Sequence, residues 1–154
     1  MTKINGERIA LLEAENAVRR TVGTMVRALD EGDWQVAREC LSQKCTGSAR
    51  VEGGRRAELR GAEALLAAAE GLTHEREGRG IRTTHVLGEM LVKWNGRQAQ
   101  LYTFQTAYLY SVADIAAPKS RSGSHGRYSL EQENGTWKVV AFDIDRVWAE
   151  GEPY

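Results

Sequence analysis

Asn134-Gly135, followed by Thr136-Trp137-Lys138-Val139-Val140-Ala141-Phe142-Asp143-Ile144-Asp145-Arg146-Val147-Trp148, is the stretch that decides the fold. Asn-Gly between two runs of alternating polarity is a strong short-range signal for a β-hairpin. The run after it reads as a long strand, and Gly126 to Gln132 before it reads as the partner strand. At period two, Trp137, Val139, Ala141 and Val147 share one face, with Asp143 among them. Val140, Phe142, Ile144 and Trp148 share the other. A strand apolar on both sides needs cover on both sides. Helices of the same chain are one cover. The expected other is a second subunit, giving a homodimer through the outer sheet face.

Working toward the N-terminus, Thr83 to Trp94 and Arg97 to Val112 flank Asn95-Gly96, a second hairpin signal. The polar stretch 113–124 between the hairpins reads as a loop that can lie over a pocket mouth. Residues 7–31 read as one long helix with Asn5 as its cap. Its apolar stripe is Leu11, Val18, Val22, Met25, Val26 and Leu29, with Asp30 on the flank of that stripe. Gly32 stops the helix, and Asp33 caps a shorter one from Trp34 to Leu41, whose inner face carries Trp34, Ala37 and Leu41. Ser48 to Val51 and Ala57 to Leu59 flank a turn at Gly53-Gly54. Residues 62–70 are strong helix formers that end at Gly71, and 73–81 reads as a mobile loop. Helix, helix, short hairpin, helix and four long strands make an α+β plan, with helices on one face of a curved sheet.

Composition bounds what such a domain does. The chain has 154 residues, and a domain of about 150 residues buries roughly 68–70% of its unfolded surface. A single domain over 1–154 is expected. Lys plus Arg and Asp plus Glu are both 21, so there is no basic excess of the kind nucleic-acid binding requires. Cys40 and Cys45 are too few for a disulfide framework and read as buried or half-buried thiols. No apolar leader and no run of about 18 apolar residues is visible, which predicts neither export nor membrane insertion, and a cytoplasmic location. There is no phosphate-binding glycine loop, no GxSxG and no HExxH, and three scattered histidines make no metal site. Cofactor-free chemistry, or none, is the expectation.

Four pieces of sequence carry a resemblance over roughly residues 7–150. They are Val26-Arg27-Ala28-Leu29-Asp30-Glu31-Gly32-Asp33-Trp34, Arg82-Thr83-Thr84-His85, Gly126-Arg127-Tyr128, and Asn134-Gly135-Thr136-Trp137-Lys138-Val139. In their order and spacing the chain resembles the SnoaL-like branch of the nuclear transport factor 2-like superfamily. The resemblance implies a cone-shaped barrel of a curved, mainly antiparallel sheet, with three helices packed on its concave face. Its members include dehydratases, ketosteroid isomerases, polyketide cyclases, epoxide hydrolases, a dehydrochlorinase and non-catalytic dioxygenase subunits.

In the dehydratase-like members a strand His and an Asp at the end of the first helix form a catalytic dyad. Here those positions match His85 and Asp30. Those members carry a Tyr five residues before the Asp; this chain has Met25 there and lacks that hydroxyl. The resemblance thus implies a lyase or isomerase in which His85 moves a proton and Asp30 orients it. Its substrate would be a hydrophobic polycyclic, polyketide- or steroid-like molecule. The alternatives are a ligand-binding or accessory protein that has lost the chemistry, or an aldol-type cyclase or epoxide hydrolase. Met25, Trp34, Tyr102, Tyr128, Phe142 and Trp148 are the expected substrate-binding residues. Asp143 joins them because epoxide-opening relatives use a carboxylate on this strand. Glu89 shares the alternation of His85 and either lines the pocket or pairs with an arginine. Arg146, on the face of Phe142 and Trp148, either closes a salt bridge at the sheet end or binds an anionic substrate. His74 and His125 read as solvated.

Overall fold

One residue, Asp33, makes the first corner of the chain. The computed structural model describes residues 3–50 and 55–151. Helix α1 (Lys3–Glu31) ends at Gly32, which stands at φ +71, a left-handed conformation that glycine adopts without a Cβ clash. The Asp33 N–H donates to the Ala28 carbonyl at 2.8 Å and closes the last turn. Asp33 Oδ1 accepts from the Val36 N–H at 3.1 Å and caps α2 (Trp34–Cys40). Leu41 does not end α2 as expected; it opens β1 (Leu41–Arg50). Asn5 lies inside α1, not at its cap. Val18, Val22, Met25 and Val26 are buried, but Leu11 is 46% exposed beside exposed Ile9 and Leu12. The first turns of α1 therefore stand clear of the core.

After β2 (Arg56–Arg60) comes α3 (Ala62–Gly78). The expected turn at Gly53-Gly54 lies outside the described residues. Helix α3 passes through Gly71 and takes up most of the stretch read as a loop. A glycine costs a helix only about 1 kcal/mol relative to alanine, and the turns on either side continue it. Four long strands follow: β3 (Ile81–Asn95), β4 (Gln98–Ser111), β5 (Ser120–Glu133) and β6 (Thr136–Gly151). The sheet order is β2-β1-β6-β5-β4-β3. All neighbours run antiparallel except β1 and β6, which are parallel. The curved sheet stays open, with β2 and β3 at its edges.

Both hairpin turns have two residues, but they are placed differently on their Asn-Gly pairs. Asn134 and Gly135 both have positive φ and connect the paired Glu133 and Thr136, as a type I′ turn requires. At the other, Asn95 still pairs with Gln98, so the turn is Gly96-Arg97. Strand β5 begins six residues before the expected Gly126. Its first half, Ser-Arg-Ser-Gly-Ser-His, is poor in strand formers but has β4 on one side and β6 on the other. A central position overrides weak local propensity. Gly123 is needed there, because a Cβ would overlap the Trp148 indole and the Phe104 ring.

Three β-bulges in β3 and β6 decide which of their side chains face inward. In β6 the register slips at Val140 and again at Val147. Each slip turns every later side chain to the other face. Trp137, Val139, Phe142, Ile144 and Arg146 therefore face the helices, and Ala141, Asp143, Asp145 and Trp148 face outward. The expected split of β6 into two continuous apolar faces is incorrect. In β3 the slip falls at Gly88-Glu89, and it turns Glu89 outward, away from the face of His85. The core lies between α1, α2, α3 and the inner face, with Leu101, Leu130, Val18, Val22, Val139 and Cys45 fully buried.

Both cysteines are free and buried. Burial pushes the Cys45 thiol up to about 12 and raises that of Cys40 as well. A thiol raised in the fold supports stability below its ordinary range, and that support is lost as pH climbs from 9 toward 12. Over that window each pH unit costs about 1.4 kcal/mol per thiol that only the unfolded chain ionises. Iodoacetamide at about pH 8 is expected to leave both thiols unmodified in the native protein and to label both in denaturant. Rapid labelling of the native protein, read by mass spectrometry, would contradict the buried placement.

Candidate active site

The edge position of β3 makes the site. An edge strand has N–H groups that no neighbouring strand uses, and His85 lies on this one. The end of α1 crosses beside it and delivers Asp30. Asp30 Oδ2 accepts the His85 backbone N–H at 2.6 Å, and Asp30 Oδ1 meets His85 Nδ1 at 2.6 Å. One carboxylate thus holds both the main chain and the ring. The histidine and aspartate side chains are 29% and 14% exposed. With Nδ1 engaged by a carboxylate it carries the proton, and Nε2 is the basic nitrogen. Nε2 has no hydrogen-bond partner among the described residues.

His85 stands in the wall of a hollow between the helices and the inner sheet face. The deep end has a volume of about 240 Å³ and is apolar, lined by Met25, Leu29, Leu65, Phe142 and Ile144 among others. The mouth is larger, about 630 Å³, and more polar, with Arg76, Ser122, Ser124 and Arg146. His85, Gln105, Ala49 and Ile144 line both, so the two adjoin. Asp30 stands behind the imidazole, in a crevice lined by His85, Arg76 and Thr83.

Tyr128 is 2% exposed and packs on Phe142 at the deep end, with ring centroids 6.3 Å apart. Burial pushes its phenol well above the ordinary range, so the hydroxyl stays protonated. It donates to Gln105 Oε1 at 2.9 Å. That bond leaves the Gln105 amide N–H groups as donors on the cavity wall. Gln105 and His85 sit on adjacent strands, His85 opposite Ala107. They are diagonal neighbours on one face of the sheet, within reach of each other's side chains.

The structure brings together Asp30, His85, Met25, Tyr128 and Phe142 from the expected set. It does not bring the other four. Tyr102 lies on the outer face, bonded to Gln100 at 2.6 Å and flanked by Lys93 and Arg127. Asp143, turned outward by the bulge at Val140, pairs with Arg56. Trp148, past the second bulge, lies outside against Gly123. Trp34 packs on the core at the start of α2 and lines no part of the cavity. His74 and His125 are exposed. Tyr102, His125, Arg127 and Asp143 instead line a separate hollow of about 470 Å³ on the reverse side of the sheet. Gln105 and Arg76 are inward-facing residues that sequence reasoning missed. Gln105 was detectable as a polar residue in phase with Leu101 and Leu109. Arg76 follows Leu65, Ala69 and Leu72 at helical spacing, but only if α3 continues past Gly71. Among the described residues no group of three or more His, Cys, Asp or Glu is placed to hold a metal ion, and no helix is long and apolar enough to cross a membrane.

A curved, mostly antiparallel sheet with helices over a hollow, and a His–carboxylate pair in its wall, define an NTF2-like protein. The chain belongs to the SnoaL-like domain family, which matches residues 10–143. No curated protein matches its sequence closely enough to count as a relative. Among solved structures, it is similar to an NTF2-like protein with a cystatin-like fold from Novosphingobium aromaticivorans. That pair has 20% identity and a TM-score of 0.74, covering 92% of this chain and 87% of the other. A scytalone dehydratase-like protein from the same organism has 14% identity and a TM-score of 0.75, with 93% and 90% covered. A type 2 hexachlorocyclohexane dehydrochlorinase has 11% identity and a TM-score of 0.73, with 95% and 93% covered. These likenesses show the fold.

Tyr128→Phe leaves the buried Gln105 oxygen without its donor. The expected cost is about 1–2 kcal/mol in denaturant-unfolding free energy. A variant as stable as the parent would mean that the bond contributes nothing to the fold.

Proposed function

We propose that this protein is a cofactor-independent lyase or isomerase acting on a hydrophobic ring-containing molecule. The observation that carries the reading is the two-point hold of Asp30 on His85, with Nε2 unbonded on the wall of an apolar cavity. In the proposed reaction Nε2 takes a proton from a carbon next to a carbonyl. The electrons of that C–H bond move into an enolate. In an elimination they then expel a neighbouring hydroxyl, which takes the proton from His85 and leaves as water. In an isomerisation the proton returns to another carbon. The Asp30 carboxylate fixes the imidazole tautomer and stabilises the imidazolium formed on the way. The Gln105 amide, anchored by Tyr128, donates to the developing enolate oxygen. It supplies a donor in a cavity where Met25 offers none.

The test is a panel of bicyclic β-hydroxy ketones assayed for loss of water through the absorbance of the conjugated product. His85→Ala is expected to lower turnover by about 10²–10⁴-fold, and Asp30→Asn by about 10²-fold or more. Near-normal turnover in both variants would overturn the reading. Met25, 3% exposed in the cavity wall, favours the second reading, a ligand-binding protein without chemistry. That reading predicts a ligand recovered unchanged after long incubation and bound equally by both variants.

We also propose that a second copy of this chain covers the outer sheet face. Val86, Leu91, Phe104 and Trp148 are 53%, 52%, 39% and 39% exposed. The charges around them carry both signs, Lys93 and Arg127 against Glu89, as a self-complementary twofold interface needs. Sedimentation at micromolar concentration should give a dimer, and Phe104→Asp a monomer. A monomeric parent protein would refute the pairing.

A further inference from the structure

Arg76 on α3 and Arg146 on β6 both line the cavity mouth. Neither closes an ion pair among the described residues. Arg76 donates one hydrogen bond, from Nη1 to Thr83 Oγ1 at 2.9 Å. Its Nε is buried with no acceptor among the described residues. Buried donors are almost always satisfied, so an orphan of this kind asks for an explanation. Burial pushes the Arg76 guanidinium below its ordinary range, and the nearby Arg146 charge pushes it further. Glu75 and Asp30 act the other way, more weakly. Two cations that oppose each other, one with an unsatisfied N–H, are poorly placed for stability and well placed to share an anion.

The other charges at the mouth are already engaged. Arg50 pairs with Asp145 at 2.5 Å, Glu150 pairs with Arg121 at 2.8 Å, and Asp30 is held by His85. The hydroxyl-bearing residues Ser122 and Ser124 lie beside Arg146 on the inner face of β5, with Ser124 opposite Arg146 in the ladder.

We propose that the cavity mouth is a carboxylate subsite, in which Arg76 and Arg146 hold the anionic end of a substrate whose apolar body fills the deep end beside His85. With Asp30 and Glu150 close by, one negative charge fits the site better than the two of a phosphate monoester. The substrate class is then narrowed to amphipathic ring acids. This inference rests on the cavity being the substrate site, as proposed above, but not on His85 being the base.

The test measures binding, so it does not depend on turnover. Naphthoate and its neutral counterpart naphthamide are titrated into the full chain and followed by calorimetry. The parent protein should bind naphthoate at least tenfold more tightly, with a preference that shrinks as salt rises. Arg146→Gln should erase most of that preference and leave naphthamide binding unchanged. Arg146→Lys, which keeps the charge and loses the fork, should retain part of it. Circular dichroism checks that each variant folds. His85→Ala should keep the preference intact. Equal binding of the two probes by the parent protein, or a full preference in folded Arg146→Gln, would refute the clamp while leaving the dyad untouched. A clear carboxylate preference in a protein that turns over no ring substrate would support the clamp and count against the dyad.

Discussion

The Asp30 carboxylate joins the end of the longest helix to the open edge of the sheet. Everything in the site is placed relative to that joint. A lone imidazole–carboxylate hydrogen bond would leave the ring free to rotate about its own side chain. Here the second carboxylate oxygen takes the backbone N–H of the same residue, so aspartate, ring and strand form one unit. The constraint also answers an edge-strand problem. Strand β3 has no neighbour on its outer side, and an acceptor from α1 occupies an N–H that another chain would otherwise find. Fold and site share the same bond.

Bulges account for what could be read from sequence and what could not. Helical periodicity placed α1 and α2 to within a few residues, and the Asn-Gly pairs located both hairpins. The joint itself was reachable only through resemblance, since nothing local to Asp30 or His85 says that they meet. Face assignment within strands failed where the period broke. At Val140, Val147 and Gly88-Glu89 one extra residue reverses the alternation, and no residue type marks these positions unambiguously. Asp143, Trp148 and Glu89 were misplaced for that reason alone. Tyr102 failed differently. Which face of β4 turns inward is set by Leu101 and Gln105, and a buried glutamine is a weak signal. Helix α3 was cut short because Gly71 outweighed the regular spacing of Leu65, Ala69, Leu72 and Arg76. The cost was the loss of Arg76 from view.

The cavity that results is graded in polarity. Its floor is aliphatic and aromatic, its middle carries one imidazole and one carboxamide, and its mouth carries the guanidinium groups of Arg50, Arg76 and Arg146 and serine hydroxyls. Such a gradient orients a molecule that has one greasy end and one charged end, since reversal would bury a charge against Met25 and Phe142. The middle zone then meets whatever lies between the two ends. The proposed proton transfer would benefit there from an apolar floor, because a hydrogen bond from the Gln105 amide strengthens as the local dielectric falls.

Electrostatics ties the mouth to the middle. In the proposed reaction Nε2 takes a proton, and the imidazolium would form near Arg76, which shares the Asp30 crevice. The Arg76 and Arg146 charges oppose that new positive charge, and Asp30 and Glu75 act against them. A carboxylate seated between Arg76 and Arg146 removes one unit of positive charge from the surroundings, so the repulsion against the imidazolium falls. A neutral ring of the same shape would bind without that relief. On the proposed reading the same two side chains would select the anionic molecule twice, once as it enters and again as the proton moves.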